Sequence, residues 1–247
     1  MAGAVGMIAG IDAGLASDIP LSERRSSYDQ MSKEIKEMQD DDTSNPGMLW
    51  VLDGAALWAR KEGPEARACA DCHSNAALSP APRYDEATQK AVTLDARINL
   101  CRTTRQKIAP LAPEARELLA LSAYIARQSR GSPIVSDDRQ LASTIDKGRT
   151  LFTERQGQLN LACVHCHTDN AGRALAGIAI PQGHPTGYPI YRLEWQTLGS
   201  LQRRLRNCMI GMRAEPYAYG SDEFVALETY LMWRARGMPI ESPGVRP

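Results

Sequence analysis

The chain has 247 residues, and 29 Lys and Arg balance 29 Asp and Glu, so its formal net charge at pH 7 is zero. A balanced charge provides no overall basic field for nucleic acid and no acidic tail. No run reaches the roughly 18 apolar residues that a membrane-spanning helix needs. These features exclude nucleic-acid binding and membrane spanning, and the length suits one or two domains.

The N-terminal region differs in composition from the rest of the chain. Met1–Ala16 is small and apolar, and Gly14-Leu15-Ala16 has the small-any-small pattern that precedes a signal-peptide cleavage site. The stretch lacks a basic start, so we interpret it as the remnant of a leader with a misplaced start. Residues 17–45 are polar, and we interpret their acidic run, Asp40-Asp41-Asp42, as a solvated loop, with a paired surface as the alternative. Residues 1–45 are thus expected to be a leader remnant followed by a polar segment.

Two five-residue motifs, Cys69-Ala-Asp-Cys72-His73 and Cys163-Val-His-Cys166-His167, are the strongest signals in the sequence. C-x-x-C-H is the attachment site of c-type haem: each cysteine sulfur bonds one vinyl group, and the adjacent histidine binds the iron. Two such motifs in a chain with only four histidines predict two haem c groups. A zinc site built from the two cysteine pairs is the alternative, but it leaves the histidine after each pair unexplained.

The two motifs lie in two similar halves. Gly54-x-x-x-Trp58 and Gly148-x-x-x-Phe152 each begin 15 residues before a motif. A helix with glycine and an aromatic residue one turn apart predicts a close helix crossing, because glycine lets another backbone approach. The segments Glu117–Gly131 and Glu223–Gly237 align without gaps and have the period of an amphipathic helix. The repeat predicts a mainly α protein with two tandem haem domains.

The predicted domains are residues 46–130, around the first haem, and residues 141–247, around the second. The linker between them is predicted at residues 129–141, which contain Gly131 and Pro133. The second half also has an insertion of about a dozen residues in a Gly- and Pro-rich loop at residues 172–191, where we expect little regular structure.

The residue that binds the distal side of each haem is less clear. Between His73 and Glu117 the first half has no methionine and no further histidine, so Cys101 is its only soft donor. The second half offers His184, Cys208, Met209 and Met212; we expect the methionines to pack and His165 to be structural. One interpretation makes Cys101 and Cys208 the distal ligands of their own haems, and the other joins them in a disulfide, as an oxidising compartment allows.

An arginine lies four residues before each lone cysteine, Arg97 before Cys101 and Arg204 before Cys208. On a helix this spacing places the guanidinium beside the sulfur and favours the thiolate, the form that binds iron. The alternative for each arginine is a salt bridge at the surface or to a haem propionate.

Each half resembles class I cytochrome c through its Gly-aromatic helix, its C-x-x-C-H motif and the Leu-x-x-Tyr of its last helix, although the first half lacks the usual methionine. From about Asp18 to the C-terminus the chain also resembles the A subunit of the Sox (sulfur-oxidation) cytochrome complex, in its di-haem form. The segments that carry this resemblance are Asn45-Pro-Gly-Met-Leu-Trp50, Ile98-Asn-Leu-Cys101-Arg102, Pro181-Gln-Gly-His-Pro-Thr-Gly-Tyr188, Tyr191-Arg-Leu-Glu-Trp195 and Leu201–Gly220.

The resemblance implies an enzyme, an L-cysteine S-thiosulfotransferase, located in the periplasm. It implies a heterodimer with the SoxX cytochrome, which joins thiosulfate oxidatively to a cysteine of the SoxYZ carrier and passes electrons to a small cytochrome c. By this resemblance His73 and Cys101 are the axial ligands of the first haem, and His167 and Cys208 those of the second. Cys208 is the persulfide-bearing active-site cysteine, Arg204 is the active-site arginine, and the first haem is remote from the chemistry.

Two further functions remain as alternatives from the residues alone: a plain di-haem electron carrier, and a haem-based sensor or structural subunit. Methionine ligation of the second haem would favour the carrier. We also expect the loop at His184 to form part of the surface that meets the carrier protein.

Overall fold

The computed structural model describes residues 19–136 and 139–247, so the expected leader remnant, Met1–Ala16, lies outside the described residues. The described chain is mainly helical, with short strands between the helices. The helices are α1 (Lys33–Asp40), α2 (Met48–Ala59), α3 (Leu94–Cys101), α4 (Arg116–Gln128), α5 (Ala142–Thr153), α6 (Cys163–His167), α7 (Leu201–Gly211) and α8 (Asp222–Arg234). The strands are β1 (Arg83–Asp85), β2 (Lys90–Val92), β3 (Ala174–Leu175), β4 (Ile178–Ala179), β5 (Ile190–Arg192), β6 (Thr197–Gly199) and β7 (Gly244–Arg246).

A pair of crossed helices organises each half, and each pair meets at a glycine. Helix α2 contacts α4 at Gly54, where an added Cβ would lie 2.1 Å from the carbonyl oxygen of Ala120. Helix α5 contacts α8 at Gly148, where a Cβ would lie 2.1 Å from the carbonyl oxygen of Ala226. No side chain fits at either position, because carbon and oxygen do not approach so closely. The predicted close crossing is confirmed in both halves.

A second glycine in each half joins the turn before the C-x-x-C-H motif to the segment that carries the lone cysteine. Gly63 has a φ of +75°, and a Cβ there would lie 1.8 Å from the carbonyl oxygen of Gln106. Gly157 has a φ of +68°, and a Cβ there would lie 2.4 Å from the carbonyl oxygen of Met212. Both turns therefore need glycine for backbone conformation and for space, and they fix the cysteine segment relative to the motif.

The segments that follow the lone cysteines differ between the halves. Helix α3 ends at Cys101 and continues as a π-helical turn, Arg102–Gln106, whereas α7 runs on to Gly211 without a break. Each segment ends at a basic residue in the left-handed region, Lys107 with a φ of 58° and Arg213 with a φ of 55°. Cys208 therefore lies within a regular helix, and Cys101 lies at a junction.

The polar N-terminal segment packs against the second half. Gln39 and Asn45 are 1% and 3% exposed, and the Asn45 side-chain amide donates to the carbonyl oxygens of Gln39 and Pro243 at 3.1 and 3.0 Å. In the acidic run, Asp40 pairs with Arg130 at 3.2 Å and Asp42 with Arg127 at 2.8 Å. The run is exposed, as expected of a solvated segment, and it also forms the paired surface given as the alternative, because α4 ends beside it with two arginines.

The predicted linker is anchored to the end of the chain. The amide of Gly131 donates to the carbonyl oxygen of Ile240 at 2.9 Å, and the amide of Ile134 donates to that of Met238 at 2.8 Å. Ile134 is 3% exposed and Leu141 is fully buried. Residues 131–134 of the linker therefore follow the C-terminal segment closely.

The Gly- and Pro-rich loop at residues 172–191 contains more regular structure than expected. It forms the small antiparallel hairpin β3–β4, and its end enters a three-stranded sheet of order β6-β5-β7. Residues 184–187 are buried, so His184 itself does not lie on the surface where we expected a carrier protein to dock, and the docking role of the loop stays a prediction. The exposed part of the loop is the hairpin, where Leu175 is 66% exposed.

The buried apolar side chains of the described residues form four clusters. One belongs mainly to the first half and one mainly to the second, and the other two contain residues of both halves. The larger of these two combines α2 and α4 with the sheet of the second half, and its buried members are Trp50, Val51, Leu119, Ala120, Ala123, Tyr191 and Leu198. The smaller combines Ala81 with Ile134, Met232, Ala235, Met238 and Ile240. Within the described parts of the chain, none of the helices combines the length and the apolar character needed to cross a bilayer.

Candidate functional site

Each half contains a cavity that brings its C-x-x-C-H motif to its lone cysteine. The first-half cavity has a volume of about 360 Å³, and both His73 and Cys101 line it. The Trp58 ring lies 5.6 Å from the His73 ring, centroid to centroid. The rest of the lining is mainly apolar and includes Leu78, Leu94, Ile98, Leu121 and Ile125. A histidine and a cysteine thus share an apolar space with the motif cysteine Cys69.

The second-half cavity has the same arrangement in a smaller volume of about 90 Å³. Cys163, His167 and Cys208 line it, and Arg204 reaches it from the same helix as Cys208. Apolar contacts come from Phe152, Leu201 and Leu231, and the buried loop contributes Pro181, Gly183, His184, Pro185 and Tyr188.

Helix α7 positions both Arg204 and Cys208. The Ser200 hydroxyl accepts a hydrogen bond from the amide of Arg203 at 3.1 Å and caps the start of the helix. Four residues form about one helical turn, so Arg204 and Cys208 lie on the same face. Within residues 19–136 and 139–247, the side chain of Arg204 forms no hydrogen bond or ion pair, so its guanidinium keeps its donors for a ligand.

The pKa of Cys208 is lowered relative to an ordinary thiol. Burial acts against this, but a hydrogen bond from His167 and the charges of Arg204, His167 and Arg192 outweigh it. In contrast, burial raises the pKa of Cys69 to about 11 and that of Cys163 to about 12. The predicted cation beside Cys208 is present and favours the thiolate there.

The first half lacks this feature, and the prediction for Arg97 is wrong. Arg97 lines the first-half cavity, but its guanidinium donates to the carbonyl oxygens of Ser79 and Ala81 at 2.7 and 3.3 Å. Burial raises the pKa of Cys101, and the cation that counters this is Arg105. The cation that acts on Cys101 therefore comes from the π-helical turn that follows it and not from the preceding turn of α3.

The two histidines of the second motif have different partners. Nδ1 of His167 lies 2.8 Å from the carbonyl oxygen of Pro181, which only accepts, so Nδ1 carries a proton. Nε2 is then the nitrogen that faces Cys208 and that would bind a metal. Nδ1 of His165 accepts from the amide of Ala162 at 3.0 Å. In the first half, Asp71 stands at the position that matches His165, and its carboxylate accepts a hydrogen bond from the amide of Ala68 at 2.8 Å. The structural role predicted for His165 is confirmed.

The remaining ligand alternatives have clear outcomes. Met209 is 5% exposed in the second-half core, and Met212 packs against that core, so both methionines pack as expected. All six cysteines lie in the described ranges and none forms a disulfide, so the alternative of a Cys101–Cys208 bridge is wrong. His184 lines the second-half cavity, with its Nδ1 3.0 Å from the carbonyl oxygen of Arg25.

Sequence reasoning missed three residues near Cys208. Ser27 of the N-terminal segment and Tyr188 line the second-half cavity, and the charge of Arg192 acts on Cys208. Burial and the nearby charge of Cys208 raise the pKa of Tyr188 to about 12, although Arg204 opposes this, so the hydroxyl stays protonated. The motif Pro181–Tyr188 was visible in the sequence, but nothing in it indicated which residues face α7.

The donor sets of both cavities suit haem c and do not suit zinc. Each cavity is lined by the first motif cysteine, Cys69 or Cys163, with the motif histidine, the lone cysteine and apolar walls, and these residues suit thioether attachment and iron binding by histidine and cysteine. Within the described residues, no group of three or more His, Cys, Asp and Glu side chains could hold a metal ion. A haem c would be held by Cys69, Cys72 and His73 in one half and by Cys163, Cys166 and His167 in the other.

Comparison with known proteins agrees with this architecture. The family model for the SoxA/TsdA cytochrome c domain matches residues 53–134 and 147–240. L-cysteine S-thiosulfotransferase subunit SoxA of Pseudaminobacter salicylatoxidans is 36% identical, with 92% of this chain and 82% of that protein covered. The same subunit of Rhodovulum sulfidophilum is 37% identical, with 91% and 80% covered.

A solved structure extends the similarity to three dimensions. The crystal structure of SoxXA from P. pantotrophus matches with a TM-score of 0.85 and 30% identity over 91% of this chain and 87% of that one. The two matched family segments each contain one C-x-x-C-H motif. The chain therefore belongs to the SoxA/TsdA cytochrome c family, as a tandem of two cytochrome c domains that binds two haem c groups.

Proposed function

We propose that this chain is the A subunit of a SoxAX-type L-cysteine S-thiosulfotransferase, which joins thiosulfate oxidatively to a cysteine of a SoxYZ carrier protein. The observation that carries the proposal is the second-half cavity, where a thiol with a lowered pKa and an unpaired guanidinium lie together. SoxA relatives at 36% and 37% identity with that named activity support it.

The cavity provides what binding of thiosulfate requires. Thiosulfate is a dianion with a sulfonate end and a terminal sulfur. The Arg204 guanidinium suits two sulfonate oxygens, because its donors form a planar fork. Tyr188 adds a protonated hydroxyl on the same cavity wall. Cys208, one turn from Arg204, then faces the terminal sulfur as a soft nucleophile.

The chemistry divides into two balanced steps. In the first, the Cys208 thiolate and the terminal sulfur of thiosulfate form an S–S bond, and two electrons leave. In the second, the carrier cysteine, having released its proton, attacks the outer sulfur of that bond. The Cys208 thiolate departs, and the carrier keeps the S–S–SO₃⁻ group. A stored persulfide on Cys208 is the related reversible cap.

Haem c would supply one-electron acceptors when bound. His73 and Cys101 would hold the iron of the first haem, and His167 and Cys208 would hold that of the second. Electrons leave through a SoxX cytochrome, the partner in the similar SoxXA structure, to a small cytochrome c. The complex works in the periplasm, where c-type haem is attached. The haem domains are residues 46–130 and 141–247.

The test of the anion site compares two neighbouring arginines of α7. Arg204→Ala removes charge-assisted hydrogen bonds of ~1.5–3 kcal/mol, which corresponds to a loss of about 10-fold to 150-fold in kcat/KM for thiosulfate. Arg203→Ala is the matched control, because Arg203 packs 4.3 Å from the Trp195 ring and lies 4.0 Å from Glu114. We expect both variants to bind haem fully. Unchanged turnover in Arg204→Ala would remove this arginine from the mechanism.

The test of the sulfur chemistry is a mass spectrum of the peptide that contains Cys208, taken from the isolated protein and after thiosulfate treatment. We expect one added sulfur atom, or an added thiosulfate group, on Cys208 and none on Cys101. An unmodified Cys208 in both samples would leave a di-haem electron carrier. The packing of Met209 and Met212 argues against the His/Met ligation typical of such carriers.

A further inference from the structure

A third cavity lies between the two haem cavities and receives a carboxyl group from each half. Its volume is about 40 Å³, which is enough for a water molecule. Asp95 of α3 and Glu228 of α8 both line it, and each is partly buried. We call it the interdomain cavity.

Neutral donors hold both carboxyl groups. The Ser122 hydroxyl donates to Asp95 Oδ1 at 2.5 Å, and the Gln202 amide donates to Glu228 Oε2 at 3.2 Å. The backbone amide of Gly220 fixes Gln202 by donating to its Oε1 at 2.8 Å. In the described ranges, neither carboxyl group forms an ion pair. If both carboxyl groups were ionised, their negative charges would therefore repel each other, and no cation would be in contact to offset the repulsion.

The charged groups around the pair do not neutralise it. Glu114, from the loop before α4, adds a second negative charge near Asp95. Arg97 is the cation that acts on Glu228, but its guanidinium is engaged by backbone carbonyl oxygens and is opposed by the charge of Arg83. The cavity thus favours a carboxylic acid over a carboxylate.

The protonation states follow from this environment. Burial raises the pKa of Glu228 to about 8, and the negative charge of Asp95 acts in the same direction. Burial also raises the pKa of Asp95 to about 6, although the hydrogen bond from Ser122 opposes it. Since the two groups titrate together, the proton belongs to the pair, and near neutral pH the pair holds one.

Single side chains connect the interdomain cavity to both haem cavities. Leu94 lines the interdomain cavity and also the first-half cavity. Tyr188 and Leu201 line the interdomain cavity and also the second-half cavity. A change of charge in either haem cavity is therefore separated from the pair by one layer of residues, where a low dielectric makes electrostatic coupling strong.

We propose that Asp95 and Glu228 form a redox-linked proton site shared by the two haem domains. When the chain takes up one electron, one proton from water adds to a carboxylate oxygen of the pair, so the buried net charge is unchanged. When that electron leaves to a partner c-type cytochrome, the proton returns to water. The site requires two haem groups but not the sulfur chemistry proposed above.

The test uses the haem-loaded complex with its partner cytochrome and measures electrochemically driven infrared difference spectra. We expect the carbonyl stretch of a carboxylic acid to appear on reduction and to shift in deuterated water. The double variant Asp95→Asn/Glu228→Gln should lose this band, since both amides keep the size and the hydrogen-bonding capacity of the side chains. Haem absorbance and circular dichroism identify a variant that has not folded.

A second measurement tests the proposal on the native complex, so its result does not depend on whether the variants fold. In the native complex, the reduction potentials should fall as pH rises through the range in which the pair titrates, and Asp95→Asn and Glu228→Gln should each reduce that dependence. Glu114→Gln is the control that leaves the pair in place and should keep the band. A native spectrum without the band, or a band that persists in the double variant, would overturn the proposal.

Discussion

Replacing Gly157 by alanine should disturb the segment that carries Cys208 without touching the cysteine. An added Cβ would lie 2.4 Å from the carbonyl oxygen of Met212 and 2.7 Å from the amide nitrogen of Ala214. Both neighbours are backbone atoms, which have little freedom to move aside. The end of α7, or the turn before the second haem motif, must therefore shift.

Two separate costs contribute to the expected loss of stability. Gly157 has a φ of +68°, and a left-handed conformation costs an L-residue about 1–2 kcal/mol. The steric overlap adds about 1–3 kcal/mol, as overpacking does elsewhere. Gly172→Ala is the matched control, because Gly172 has a φ of +85° and nothing within 4 Å of its added Cβ. The difference between the two variants is the overlap alone.

Thermal unfolding of the haem-loaded chain should show this difference. For a protein of this size, 1 kcal/mol shifts the Tm by about 2–4 °C, so Gly157→Ala should melt about 2–12 °C below Gly172→Ala. Electron paramagnetic resonance of the ferric protein should show altered ligation of the second haem in Gly157→Ala and an unchanged signal in Gly172→Ala.

Equal stability of the two variants would refute the reasoning. It would mean that the turn and the end of α7 separate at little cost, and that Gly157 does not fix Cys208 relative to its motif. An altered signal from the first haem in Gly157→Ala would also contradict this explanation, because the atoms nearest to the added Cβ belong to Met212, Arg213 and Ala214 of the second half.

Three further predictions follow from buried polar groups and from Cys208. Burial raises the pKa of Glu228 from 4.5 to about 8. The protonated group therefore contributes stability below the unfolded pKa, and this contribution of at most about 5 kcal/mol is lost as pH rises through the folded pKa. Urea unfolding between about pH 5 and pH 8 should show a smaller loss of stability in Glu228→Gln, and an unchanged pH dependence would contradict this prediction. Asn45→Ala removes the donor to the buried carbonyl oxygens of Gln39 and Pro243 and should lower the unfolding free energy by about 2–4 kcal/mol. A loss near zero would show that the N-terminal segment detaches freely. Cys208→Met keeps a soft donor for iron and removes the nucleophile, so haem content should stay intact while thiosulfate turnover falls to background; residual turnover above that level would exclude Cys208 as the sulfur carrier.

Local sequence determined the features that depend on spacing. The C-x-x-C-H motifs, Gly54, Gly148 and the two closing helices follow from rules that operate within a few residues, where covalent attachment, close approach and helical period leave few alternatives. The one-turn spacing of Arg204 and Cys208 also predicted their common face correctly, because α7 is a regular helix around both.

The same spacing failed at Cys101, and this failure shows the limit of local rules. Arg97 lies four residues before Cys101, as Arg204 does before Cys208, but its donors are taken by the carbonyl oxygens of Ser79 and Ala81. Those carbonyls come from a loop some 16 to 18 residues earlier in the chain. Which partner engages a long cationic side chain is decided by packing, and sequence distance contains no record of it.

The sequence by itself determined that there are two haem sites, two similar helical halves and one cysteine available to each site. Only the tertiary structure decided that Tyr188 and Ser27 enter the second cavity, that the N-terminal segment packs against the second half, and that Asp95 meets Glu228. The physical reason is that haem attachment and helix crossing depend on residues a few positions apart. The charge state of a buried group, in contrast, depends on whatever the folded chain brings near it, from any distance along the sequence.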